Sequence, residues 1–229
     1  MKIFVNTSAL HILEESQSFA TSLQVIPAAT RRRLSSYAKT LLSAVLTIYE
    51  QFPQANKLPV ILASRHGDLR RTIELLNDLV NGESLSPTRF CLSVNNAVLG
   101  QLSMLTKNTQ AMTTVGGGAD SFAYAWLEGV TQLESHAQVL IIYADEQPPE
   151  PYTAQCESPR CGVAFAALLT KEPSPGAKQV NFAHSCHAEP SNTTDVVDVA
   201  QALHVALSSG EGTITMTNSN HHWSWHVAS

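Results

Sequence analysis

Three short stretches of the sequence carry residue types that could support chemistry. The first is Arg65-His66-Gly67, which follows the apolar run 59–64. An RHG triplet after a buried strand is typical of histidine phosphatases, in which the histidine is the nucleophile. Here the triplet lies deep in the chain and no other element of such a site is identified. A structural loop at a strand end is therefore the competing interpretation of His66.

The second stretch is Gly116-Gly117-Gly118, between a predicted strand at 111–115 and a helix beginning at Asp120. It lacks both the GxGxxG pattern and the GK[ST] ending of nucleotide-binding loops. A tight strand-to-helix elbow is the more specific interpretation, because such elbows often display a nucleophile at the positive end of a helix. Residues 118–121 contain no cysteine, and Asp120 places a negative charge where an oxyanion should be stabilised. Ser121 is the only hydroxyl there, and no signature nearby marks its base.

The third stretch is His184-Ser185-Cys186-His187, which looks like a fragment of a metal site. The other cysteines are Cys91, Cys156 and Cys161, and the four form no CxxC pair and no metal-ligand spacing with the histidines. We therefore expect free, buried thiols, no metal and no cofactor.

The composition bounds the class of protein. The chain has 229 residues, of which 14% are charged, and its net charge is -5. Typical soluble domains carry about 25% charged residues, so we expect part of the surface to lie against another subunit. The acidic balance disfavours a nucleic-acid partner. No apolar run is long enough to span a membrane, and no signal peptide is evident, which predicts a cytoplasmic protein.

Hydrophobic periodicity then places these stretches on an α/β framework. We predict helices over 31–52, 69–80, 96–105, 120–133 and 194–208, and strands at 1–5, 59–64, 90–94, 111–115, 139–143, 162–170, 212–217 and 222–227. The strands are apolar, so the sheet should be covered on both faces. We expect the least order at 147–159 and 172–193, and a single domain over 1–229 in which 172–229 is a reduced C-terminal part.

At the elbow, the sequence resembles the N-terminal half of β-ketoacyl synthases, which have the thiolase fold. The resemblance rests on Ser86-Pro87, Asn96, Gly100, the segment 114–122 and the strand 139–142. In those enzymes a cysteine nucleophile sits in the elbow. The matching position here is Gly118 or Ala119, neither of which can act as a nucleophile.

The chain is also similar to a narrower family, the short ketosynthase-like chain length factors of bacterial aryl polyene and related type II polyketide clusters. The match covers about 25–170, and its motifs are Pro27 with Arg31-Arg32-Arg33, Ser64 to Gly67, Leu85 to Thr88, Ser93 to Ala97, Gly118 to Phe122 and Tyr143 to Glu146. A full ketosynthase is much longer, with a second half that donates two catalytic histidines. We do not carry those roles over to His221 or His222, which are predicted to be surface or interface residues.

The resemblance implies a truncated thiolase-like α/β fold with a covered mixed sheet and a non-catalytic subunit. It further implies a heterodimer with an active β-ketoacyl synthase, and contact with acyl carrier protein through that complex. Ketosynthases dimerise through the strand before the elbow, and a segment after the Ser-Pro turn lines the partner's acyl tunnel. That segment falls on Thr88, Arg89 and Phe90, whose alternative role is simple interface packing.

Two other classes of function remain open at this point. One is a small hydrolase or acyltransferase using Ser121, or a phosphatase using His66. The other is a homodimeric module that binds acyl carrier protein without a ketosynthase.

Overall fold

A computed structural model describes residues 1–13, 21–150, 152–154, 159–191 and 193–229. The strands are β1 (Lys2–Leu13), β2 (Val60–Ala63), β3 (Met112–Val115), β4 (Gln138–Asp145), β5 (Gly162–Thr170), β6 (Lys178–Ser191) and β7 (Gly212–Ala228). The helices are α1 (Ala28–Arg31), α2 (Ser36–Gln51), α3 (Leu69–Val80), α4 (Pro87–Cys91), α5 (Ala97–Thr106), α6 (Ser121–Gln132) and α7 (Val196–Ser209). Short 3-10 turns cover Thr21–Val25, Pro53–Lys57, Gly118–Asp120 and Tyr152–Ala154.

One seven-stranded mixed sheet organises these elements, in the order β3-β2-β4-β5-β1-β6-β7. β3, β2 and β4 are mutually parallel, whereas the remaining neighbours pair antiparallel. Parallel neighbours require crossover connections, and α3 to α5 and then α6 supply them. The predicted α/β class with a covered mixed sheet is confirmed.

Apolar side chains on both faces of the central strands explain why helices cover the sheet on both sides. Along β2, Val60 and Leu62 pack into one core with α2 and α5, while Ile61 and Ala63 pack into the other core with α6 and α7. α2 begins at the cap Ser35, whose hydroxyl accepts from the Ala38 amide at 3.1 Å. The sheet is therefore the middle of three layers.

Three predicted elements were wrong. Residues 90–94 are not extended, because Pro87 at a helix N-terminus and the Ser86 cap start α4, which contains Phe90. The segment 172–193, which we expected to have little order, contains the long strand β6. Its own sequence is polar, and its apolar cross-strand neighbours come from β7. The strands expected at 212–217 and 222–227 form one continuous strand, β7.

The described part of 172–229 belongs to the same sheet as the rest. β6 pairs with β1, and β7 extends the sheet beyond it. α7 packs over β1 and β7 and completes the layer that α6 begins. Among the described residues, no helix is long and apolar enough to cross a lipid bilayer.

Candidate functional site

The parallel register brings two of the predicted motifs to one edge of the sheet. β2, β3 and β4 run in the same direction, so their carboxyl ends lie side by side. Arg65-His66-Gly67 follows β2, the glycine elbow follows β3, and Asp145 ends β4. Ligand sites of α/β sheets form at this edge, and the candidate site is therefore built from these three loops.

Asp145 organises the loop after β2. Its carboxylate is fully buried and accepts hydrogen bonds from the Ser64 hydroxyl (2.9 Å), the Arg65 amide (2.6 Å) and the His66 amide (3.0 Å). The Ser64 oxygen in turn accepts from the Gly67 amide at 2.8 Å. Burial raises the pKa of Asp145 above its ordinary 3.8, while the two amide donors oppose that rise.

The glycine of this triplet is required by its backbone. Gly67 has φ +61°, in the left-handed region that favours glycine, and its α-carbon faces the side chain of Asn95. A methyl group at this position would overlap the Asn95 amide oxygen. The Arg-His-Gly and Ser93 to Ala97 motifs are thus halves of one packed contact.

His66 is held by its backbone and does not present a nucleophile in a built phosphate site. Its backbone amide donates a hydrogen bond to Asp145. Its Nε2 is buried and has no hydrogen-bond partner among the described residues. The geometry favours the structural interpretation of the triplet over the phosphatase one.

The elbow after β3 has the predicted strand-to-helix form. Gly118, with φ +60°, opens a short turn that leads directly into α6. The ring of Tyr124 packs so closely on Gly117 that no side chain would fit there. Ser121 lies beneath the turn, where its hydroxyl donates to the Gly118 carbonyl (2.8 Å) and accepts from the Gly117 amide (3.0 Å).

Ser121 is therefore a structural residue of the elbow. Its side chain is 1% exposed, and both of its hydrogen bonds join it to the backbone of its own turn. A serine nucleophile needs a base within hydrogen-bond reach. Among the described residues, the hydrogen-bond partners of the Ser121 hydroxyl include no side chain that could act as a base.

Two residues of β7 hold the elbow from the other side. The indole Nε1 of Trp223 donates to Asp120 Oδ1 at 2.8 Å, and Asn218 Nδ2 donates to the Ala119 carbonyl at 2.8 Å. Asp120 is itself only 8% exposed, and Asn218 Nδ2 also donates to its Oδ1 at 3.3 Å. Both donors lie far along the chain from the elbow, so no local pattern in the sequence marks them.

A cavity of about 270 Å³ opens at the elbow. Ala119 lines it together with Arg65, Tyr143 and Asn218, and the segment 193–196 closes one side. Of the two elbow residues Gly118 and Ala119, only Ala119 is among the described residues that line this space.

The predicted tunnel residues lie away from this cavity. Thr88, Arg89 and Phe90 form part of α4, and none is among the described residues that line the cavity. Arg89 pairs with Asp78 (2.6 Å) and Glu74 (3.3 Å) of α3, which ties α4 to its neighbouring helix. Phe90 is 59% exposed.

The histidines of the tail have separate environments. His221 lies 2.9 Å from His184 across the β6–β7 pair, and His222, on the opposite face, contacts the Thr217 hydroxyl at 3.1 Å. Both are partly exposed. Neither lines the cavity at the elbow.

A sheet covered on both faces, with a glycine elbow at the end of a parallel strand, is the architecture of one half of a thiolase-type condensing enzyme. The family model described as "Beta-ketoacyl synthase, N-terminal domain" matches residues 7–226. The chain therefore belongs to the β-ketoacyl synthase N-terminal domain family, as the sequence resemblance predicted. No curated protein matches the chain.

Solved structures share the fold. One chain of the ketosynthase ApeO in complex with its chain length factor ApeC, from Xenorhabdus doucetiae, is 22% identical, with 99% of both chains covered and a TM-score of 0.82. The ishigamide ketosynthase/chain length factor is 14% identical, with 84% of this chain and 60% of that chain covered and a TM-score of 0.60. A structure of the type II polyketide ketosynthase and acyl-carrier protein complex AntDE:AntF is 11% identical, with 99% of each chain covered and a TM-score of 0.70.

Proposed function

We propose that the chain is a non-catalytic ketosynthase-like subunit, a chain length factor. In this proposal it pairs with an active β-ketoacyl synthase and helps to shape its acyl tunnel in aryl polyene or related type II polyketide synthesis. One observation carries the proposal: the elbow has the strand-to-helix form that presents a nucleophile, and the residues at the candidate position are Gly118 and Ala119, of which Ala119 lines the cavity. Condensation needs a thiolate at that point, and neither glycine nor alanine can provide one.

The electrostatics of the elbow support inactivity as well. The buried Asp120 carboxylate stands beside Ala119, at the start of α6. A condensing site stabilises an oxyanion near its nucleophile with hydrogen-bond donors. Here the Trp223 indole donates to Asp120 and the Asn218 amide donates to the Ala119 carbonyl, so both donors already have acceptors within the chain.

The match to a solved ketosynthase complex supports the assignment. One chain of the ApeO–ApeC complex shares the fold of this chain over 99% of both chains. The solved complex contains a ketosynthase and its chain length factor. A pairing of the same kind is the simplest role for a chain with this fold and this elbow.

An edge strand and an apolar surface provide the partner's binding site in this proposal. β3 lies at one edge of the sheet, directly before the elbow. α3, which follows β2 along the chain, buries only Leu75 and leaves much of its apolar face uncovered, with Leu76 50%, Leu79 58% and Val80 85% exposed. Exposed apolar patches mark interaction sites, and an active ketosynthase is the occupant that we assign to this one.

The tunnel role falls to α4 because its exposed aromatic side chain can reach a partner. Phe90 projects from a helix that Arg89 anchors to α3 through two carboxylates. A bulky side chain held in this way can limit the length of an acyl chain, since overfilling a packed cavity costs about 1–3 kcal/mol. Thr88 and Arg89 would position Phe90 within the shared surface.

Co-expression with an active ketosynthase tests the pairing. We expect the two chains to copurify as a 1:1 heterodimer, and this chain alone to aggregate. The double variant Leu76→Glu/Val80→Glu should release the partner, whereas Val205→Glu, at a 59% exposed position on α7, should not. A stable soluble monomer that does not bind the ketosynthase would contradict the proposal. A homodimer detected by native mass measurement would favour a module that binds acyl carrier protein instead.

A further inference from the structure

We propose that His184, Cys186 and His221 form a binding site for a zinc-class transition-metal ion on the β6–β7 hairpin. The proposal is independent of the pairing with a ketosynthase. The sequence gives no ligand spacing here, because His221 lies far from the other two residues along the chain. The fold alone brings it to them.

The strand register explains the convergence. Cys186 is the direct cross-strand partner of His221, and His184 is the partner of Trp223. Residues two apart on a strand share a face, so His184, Cys186 and His221 project from the same side of the hairpin. Cross-strand partners stand close enough for their side chains to touch.

This side of the hairpin is a continuation of the core. Phe182, Trp223 and Trp225 on the same face are almost completely buried. Where α6 and α7 no longer cover the hairpin, the pattern changes from large apolar side chains to two imidazoles and a thiol. His184 and Cys186 are exposed and His221 is partly exposed, so an ion from solvent can reach all three.

The distances suit a single ion. The candidate ligand atoms all lie within 4.8 Å of one another, and His184 Nε2 is 2.9 Å from His221 Nδ1. Tetrahedral zinc with bonds of about 2.0–2.3 Å holds its ligand atoms about 3.3–3.8 Å apart. Small rotations of exposed side chains reach that geometry, with the ion replacing the hydrogen bond between the two rings.

The donor set selects the class of ion. Two imidazole nitrogens and a thiolate suit zinc, copper or cobalt, whereas magnesium and calcium prefer oxygen ligands. Three protein ligands leave one tetrahedral position for water or another ligand. Binding would release the thiol proton, since a metal takes the thiolate and neutral imidazoles. The ring that donates in the histidine pair would carry its proton on its other nitrogen instead.

A rigid support holds one of the three ligands in place. The His184 ring packs on the Trp223 indole with ring centroids 4.1 Å apart. Trp223 is 2% exposed and is fixed by its hydrogen bond to Asp120 at the elbow. Support of this kind around a ligand raises metal affinity, because the ligand loses less freedom on binding.

Zinc titration of the full chain, copurified with its partner where it needs one, tests the site. Competition with a chromophoric chelator should show one zinc ion per chain that depends on these residues. Loss of a supporting contact alone weakens metal binding about 10- to 100-fold, so Cys186→Ala and His221→Ala should each weaken it by at least about 100-fold. The matched controls are Cys91→Ala, an exposed thiol elsewhere, and His222→Ala, the neighbour on the opposite face; both should bind as the unmodified chain does.

Cobalt substitution gives a second readout that does not depend on folding stability. Cobalt bound at the site should show thiolate-to-cobalt charge transfer and tetrahedral d–d absorption, and Cys186→Ala should abolish the charge-transfer band. Unchanged zinc affinity in the Cys186→Ala and His221→Ala variants would overturn the proposal. An equal loss in His222→Ala would overturn it as well, since zinc would then bind the histidines nonspecifically.

Discussion

Replacing Trp223 by phenylalanine should weaken the elbow far more than the same replacement at Trp225. The two indoles lie on the same face of β7, are 2% and 0% exposed, and both stack on Phe182. The hydrogen bonding of their indole nitrogens differs. Trp223 Nε1 donates to Asp120 at 2.8 Å, whereas Trp225 Nε1 is buried without a hydrogen-bond partner among the described residues.

The magnitude follows from this difference. Each Trp→Phe change removes about 1 kcal/mol of apolar burial. Trp223→Phe also removes a hydrogen bond to a carboxylate, worth about 1.5–3 kcal/mol, so the total loss is about 3 kcal/mol. Trp225→Phe removes an unsatisfied buried donor, which returns about 1–3 kcal/mol, and its net effect should be close to zero.

Thermal and urea unfolding of the two variants, each copurified with the ketosynthase partner where the chain needs one, measures the difference in unfolding free energy. A difference of about 3 kcal/mol corresponds to about 6–12 °C in Tm for a chain of this size. The unmodified protein and Trp225→Phe should melt close together, with Trp223→Phe well below them. Equal losses in the two variants would refute the reasoning, because the bond between Trp223 and Asp120 would then contribute nothing to the elbow.

Three further outcomes are expected. Burial raises the pKa of Asp145 above 3.8, so between pH 3.8 and that raised pKa the folded chain holds a proton that the unfolded chain releases. The free energy of unfolding should therefore fall as the pH rises through that range. Asp145→Asn should remove that slope in a series of urea titrations, and an unchanged slope would contradict the assignment. Gly67→Ala should cost about 2 kcal/mol in chemical denaturation through strain and overlap with Asn95, and an equal cost in an Asn95→Ala background would show that the overlap is unimportant. Phe90→Ala should lengthen the products of the complex and Phe90→Trp should shorten them, as measured by mass spectrometry, whereas identical product lengths would refute the tunnel role without affecting the pairing.

Much of the framework could be predicted from periodicity. The buried strands β2, β4 and β5 and the helices α3, α5, α6 and α7 have apolar patterns that determine their type. β6 escaped notice because its cross-strand partners, 219–228, lie far along the chain, and a polar strand becomes visible only beside them. α4 was misread because the capping pair Ser86-Pro87 outweighs the apolar run that follows it.

The candidate site likewise contains local features that the sequence predicts and long-range contacts that it does not. The elbow is a local feature, so its strand-to-helix form could be predicted from the sequence, and residues 118–121 contain no cysteine. The Asp145 hydrogen bonds, the donors Asn218 and Trp223 and the ligand cluster of the hairpin are long-range contacts. No local pattern predicts them, since each depends on which strands become neighbours.

The most direct test of inactivity compares two knockouts within the complex with a ketosynthase. Condensation should vanish when the partner's cysteine nucleophile is replaced by alanine. Ser121→Ala in this chain should leave it within about tenfold, a difference of about 1.4 kcal/mol. Retained condensation without the partner's cysteine would contradict the account. A loss greater than about 100-fold from Ser121→Ala, in a complex that still folds and assembles, would do so equally.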